Sequence, residues 1–65
     1  MPKQLQILNI ELEISLRQTQ ARTFRALARF VGDDHERQQQ VEQEAVKIES
    51  EISKLGAERH RLESS

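Results

Sequence analysis

From Val41 to Leu62 the apolar residues fall at alternating steps of four and three: Val41, Ala45, Ile48, Ile52, Leu55 and Leu62, with Arg59 at the one position where the pattern breaks. A helix turns once in about 3.6 residues, so this spacing keeps a single narrow stripe apolar. Apart from Val46 and the small Ala57, the positions between are charged, polar or glycine. The segment therefore reads as a helix with one heptad seam, the pattern of a coiled coil. Such a seam requires a second apolar face to cover it.

The stretch before it supplies that face. Read as a helix from about Lys3 to Val31, the chain places Ile7, Ile10, Ile14, Ala21, Phe24, Ala28 and Val31 at heptad spacing, with Arg17 as the exception. A second line, Leu5, Leu8, Leu12, Leu16, Leu27 and Phe30, is bridged by Thr19 and Thr23 and lies nearly opposite the first. Pro2 suits a first helical turn, where its missing N–H costs nothing. Between the halves, "VGDDHE" reads as helix stop, turn and helix start. Gly32 is expected to take the left-handed conformation and Asp33 to cap the second helix, with Glu36 in the reciprocal place of a capping box. Gly56 costs a helix interior about 1 kcal/mol, so the last turns after Leu55 are expected to fray.

The fold expected is thus all-α: one helical-hairpin domain over residues 1–65, with helix 1 about 3–31, a turn at 32–33 and helix 2 about 34–62. About such a turn, residues whose numbers add to roughly 66 face one another. Ile10 then meets Leu55, Ile14 meets Ile52, Ala21 meets Ala45 and Phe24 approaches Val41, large against large and small against small. Arg17 falls near Ile48, with Glu44, Glu49 and Glu51 as candidate partners for its head.

An alternative exists for residues 8–16. Leu8, Ile10, Leu12, Ile14 and Leu16 alternate, which is the period of a strand, and two such strands could pair across a ribbon-paired dimer ahead of two helices. Against this, Ile7 beside Leu8 breaks the alternation, Glu11 and Glu13 would crowd the exposed face, and the heptad line runs straight through the segment. The helical reading is preferred.

Composition limits what such a chain can do. Sixty-five residues, 35% of them hydrophobic, with Phe24 and Phe30 as the only aromatics, lie near the lower size limit for an independent core. There is no cysteine, hence no disulfide or thiolate site, and a cytoplasmic setting is expected. No apolar run approaches the roughly 18 residues of a membrane span, and "MPKQLQ" lacks a secretory pattern. Small unstapled chains commonly gain stability by oligomerising. In the hairpin, helix 2 covers the Ile line and leaves the Leu line bare. The residues expected to form a protein interface are therefore Leu5, Leu8, Leu12, Leu16, Leu27 and Phe30. The expected occupant is a second copy, giving a homodimeric four-helix bundle, or else another helical protein.

Nothing reads as catalytic, and neither a cofactor nor a metal site is expected. His35 beside Asp33 and Asp34 is a solvated turn histidine, since three consecutive residues do not converge on a metal unaided. His60, between Arg59 and Arg61, is a surface residue. Glu42/Glu44 and Glu49/Glu51 diverge on a helix. One charge pattern stands apart. The net charge of −1 divides into about +3 over residues 1–32 and −4 over residues 33–65. Arg22, Arg25 and Arg29 share a face that Gln18 extends, and this face could engage nucleic-acid phosphates or an acidic partner. The plainer reading pairs these arginines with Glu36, Glu42 and Glu44 of the second helix, in keeping with the slightly acidic whole. The function expected is that of a small non-enzymatic adaptor or regulator acting through helix–helix contacts, with a nucleic-acid-binding regulator as the alternative.

Overall fold

The computed structural model describes residues 2–65 and contains two helices, α1 (Lys3–Phe30) and α2 (His35–Ser64), packed against each other. Residues 8–16 lie wholly inside α1, so the strand alternative is overturned. The reason is visible in the burial: Ile10 is buried and Ile14 half-buried, whereas Leu8, Leu12 and Leu16 are exposed. The alternating run is two helical lines interleaved, and only one of them needs α2. Ile7, Ile10, Ile14, Ala21, Phe24, Ala28 and Val31 are all buried or half-buried, as are Val41, Ala45, Ile48, Ile52, Leu55 and Leu62. Ala45 has no exposed surface at all, and Ala21, which the register of 66 sets opposite it, is also buried. Small side chains at one level let two backbones approach closely.

The turn differs from its expected form. Gly32 has no positive φ; Val31 ends α1 at φ −96°, ψ 27° with its N–H donating to Leu27 O at 3.1 Å. Because the chain does not reverse through a left-handed glycine, it takes a further residue, and the cap of α2 is Asp34 rather than Asp33. Asp34 is extended (φ −111°, ψ 94°) and its Oδ1 accepts from Arg37 N at 3.2 Å. The N–H of Asp34 donates in turn to Val31 O at 2.9 Å. The reciprocal position now holds Arg37, so Glu36 closes no capping box and instead places its charge in the first turn, where it suits the helix dipole. Pro2 stands at the N-cap of α1, one residue ahead of the first helical position. α2 also runs unbroken past Gly56 to Ser64. Its last turns are held by Arg59, which bonds both Glu63 (2.7 Å) and Glu11 of α1 (3.1 Å), and by Lys3 Nζ donating to Ser65 O at 2.5 Å.

The outcome is a rod whose Cα atoms span 48 × 14 × 13 Å. Its buried residues are Ile10, Ala21, Ala28 and Ala45, and among the described residues no large side chain is fully enclosed. Two helices alone make a seam, not a core.

Candidate functional site

The outer face of α1 carries the largest unused apolar surface. Leu5, Leu8, Leu12, Leu16, Leu27 and Phe30 are all exposed, from 45% at Leu27 to 92% at Phe30. They follow one line because the helix repeats them at three- and four-residue steps, and they face away from α2 because α2 has a single seam, already covered by the Ile line. Thr19 and Thr23 interrupt the line, and here the structure modifies what their polarity implies. The Thr19 hydroxyl donates to Ser15 O (3.2 Å) and the Thr23 hydroxyl to Thr19 O (2.9 Å). With both hydrogens committed to the backbone one turn back, neither donor needs water, and the stripe's waist can be covered by an apolar partner.

Beside the stripe lies a groove open to solvent, of about 600 Å³, lined from α1 by Gln18, Arg22, Arg25 and Arg29 over the small Ala21 and Ala26, and from α2 by Glu49 and Ile52. The structure thus brings the whole arginine face together along one channel. Its partners are not those expected. Arg25 Nη2 bonds Glu49 Oε1 at 2.5 Å, while Arg22 and Arg29 have no ion pair among the described residues. Glu44 instead pairs with Lys47 at 3.5 Å, and neither Glu36 nor Glu42 reaches the arginines. Side chains on a helix lean toward its N-terminus. In an antiparallel hairpin, those of α1 therefore lean away from the turn and those of α2 toward it. Long side chains meet residues farther along α2 than a simple level match gives, and Arg25 reaches Glu49 for that reason.

The same lean sets the other cross-helix pairs, Arg17 with Glu51 and Glu11 with Arg59. Arg17 stands on the inner line but turns its head outward: Nε donates to Glu51 at 2.8 Å, and Nη1 lies 3.8 Å from Glu13. Its pKa is raised above the usual arginine value, first by the hydrogen bond to Glu51, which outweighs the opposing effect of desolvation, with the charges of Glu51 and Glu13 assisting. Arg17 is thus a hinge of the ion-pair set rather than a defect in the seam.

His35 and His60 are exposed, and no group of three or more His, Cys, Asp or Glu side chains among the described residues could hold a metal ion. No helix among them is long and apolar enough to cross a membrane. One further apolar spot was not assigned from spacing: Val46, on the outer face of α2, is 57% exposed beside Gln43 and Lys47. Its only sequence signal is an apolar residue off the seam. Fold and surface together define a two-helix hairpin with one apolar outer stripe and one arginine-lined groove. No known family model, curated protein or solved structure matches the chain.

Proposed function

We propose that this protein is a small non-enzymatic adaptor or regulator, working in the cytoplasm through helix–helix contacts made by the outer stripe of α1. One observation carries the reading: six large apolar side chains lie exposed in a line along a single helix face, while the inner face of that helix is already occupied. Fully burying a Leu or Phe contributes about 1.5–3 kcal/mol, so a continuous stripe of this length is a strong drive toward association. The charged side chains support a contact rather than a chemical role. The closest acids and bases are locked in ion pairs on the rod's surface, and the grooves stand open to solvent.

Sedimentation equilibrium at low micromolar concentration tests the reading. The wild-type chain is expected at a discrete multiple of 7.6 kDa. Leu12→Lys, which sets a charge at mid-stripe, is expected to weaken that assembly at least tenfold while circular dichroism stays helical. An assembly mass unaltered by the substitution overturns the proposal.

A second reading is favoured by a specific observation, Arg22 and Arg29 in one groove with no ion pair among the described residues. In it, the arginine face binds nucleic-acid phosphates. Against it stand the net charge of −1 and Glu49 within the channel. Retention on a nucleic-acid column that falls steeply with salt, and is lost in the Arg22→Glu, Arg25→Glu double variant, is the expected result of that reading. Identical retention of wild type and double variant removes it.

A further inference from the structure

We propose that the occupant of the outer stripe is a second copy of this chain, laid antiparallel along α1, so that two hairpins form a four-helix body with α1 at its centre. The inference rests on the stripe reading above and goes beyond it by fixing the number of copies at two and their direction.

Three observations carry it. The first is the area. At the exposures found, the six large side chains on each of two copies supply roughly 1,200 Å² of apolar surface, the lower bound for a stable standard-size interface. Among the described residues the hairpin fully encloses no large side chain, so this added layer completes the structure as well as joining two copies.

The second is the distribution of bulk along the stripe. Four leucines occupy its N-terminal half, whereas the C-terminal half has Thr19, Thr23, Leu27 and Phe30. Parallel copies would stack threonine on threonine at the waist. Antiparallel copies set Leu16 over the partner's Thr19, Leu12 over the partner's Thr23, Leu8 over the partner's Leu27 and Leu5 over the partner's Phe30. Every threonine is then covered by a leucine.

The third is charge. Glu11 and Arg22 lie on one edge of the stripe: Glu11 on the side of its pair with Arg59, and Arg22 in the groove containing Arg25 and Glu49. Glu13 lies on the other edge, with Arg17. In antiparallel packing like edges meet, and Glu11 comes to the level of the partner's Arg22, twice by symmetry. In parallel packing unlike edges meet, and Glu11 faces the partner's Glu13. One direction joins opposite charges and the other joins like charges. Arg22, which has no ion pair among the described residues, is the residue this arrangement satisfies.

The chain has no cysteine, so nitroxide labels can be placed singly. Labels on Gln4→Cys and on Ser15→Cys, each measured alone by electron double resonance, report the direction. At 1.5 Å per residue, antiparallel copies put the two Gln4 positions about 40 Å apart and the two Ser15 positions within about 20 Å. Short distances at both sites mean parallel copies and overturn the direction, leaving the stripe reading intact. No intermolecular signal at either site overturns the second copy. If sedimentation also shows no assembly sensitive to Leu12→Lys, the stripe reading fails with it. A charge exchange gives an independent readout. Glu11→Arg and Arg22→Glu are each expected to weaken self-association several-fold, and an equimolar mixture of the two is expected to recover it. Strengthening by Glu11→Arg alone is the parallel result and contradicts the proposal.

Discussion

Asp33 and Asp34 stand side by side in the sequence, but only one of them caps a helix. The Asp34 carboxylate accepts from Arg37 N, satisfying one of the N–H groups that α2's first turn leaves without a helical partner. Asp34→Ala is therefore expected to cost about 1 kcal/mol, whereas Asp33→Ala stays within about 0.5 kcal/mol, both read from urea denaturation. Equal costs would contradict this assignment. Gly32 carries a linked prediction. Its φ is not positive, and an added Cβ would meet only Arg29 O at 3.4 Å, an ordinary contact. Gly32→Ala is thus expected to leave stability unchanged or slightly raised. A loss of 1 kcal/mol or more would show that the turn requires a left-handed residue after all. Neighbouring aspartates and a glycine are generic turn signals. Which of them does what depends on where the two helix axes place the chain between them.

For the helices as elements, the heptad lines were legible because the α2 positions off the seam, Val46, Gly56 and Ala57 apart, are polar or charged, and because each α1 line keeps its three- and four-residue steps. What spacing could not convey was the lean of long side chains, and this sets which acid each arginine reaches. Arg22, Arg25 and Arg29 were expected to pair with Glu36, Glu42 and Glu44, and Arg25 bonds Glu49; Arg17, with Glu51 among its expected partners, bonds Glu51. The continuity of α2 was misjudged for a related reason. A local cost at Gly56 is offset by contacts made elsewhere, through Arg59 to Glu11 and Glu63 and through Lys3 to the chain's last residue. The cost itself remains. A Cβ at Gly56 meets nothing within 4 Å, so Gly56→Ala is expected to stabilise the helix by about 1 kcal/mol, raising the melting temperature by several degrees. A lowered melting temperature would mean that this face of α2 is closely covered in solution.

At the scale of the whole molecule, a rod 48 Å long and only 14 × 13 Å across its Cα atoms encloses very little. Its stability is then tied to whatever covers the outer stripe, since any partner that binds the folded form alone shifts the folding equilibrium by mass action. The melting temperature of the wild-type chain is accordingly expected to rise by several degrees from low to high micromolar concentration. Leu12→Lys is expected to melt lower and with no concentration dependence. A wild-type melting temperature constant over that range would make the hairpin self-sufficient and the stripe dispensable for folding.

The fold class followed from the residues alone. Two lines of heptad spacing, a polar interval and a glycine–aspartate turn leave a chain this short little choice but an antiparallel hairpin, because helical periodicity is a local property and apolar spacing reports it directly. The outer line of six residues was legible for the same reason, since α2 offers one seam and can cover one face. Three matters were left to the packed structure: that the alternating run 8–16 is two helical lines and not one strand, that Asp34 rather than Asp33 is the cap, and that Arg22 and Arg29 remain without the acids of α2. Each depends on distances between elements far apart in the chain. A short alternating run fits one face of a strand as well as two opposite faces of a helix, and two adjacent carboxylates are equivalent until an axis is fixed. Side-chain reach acquires a direction only once the helices are antiparallel.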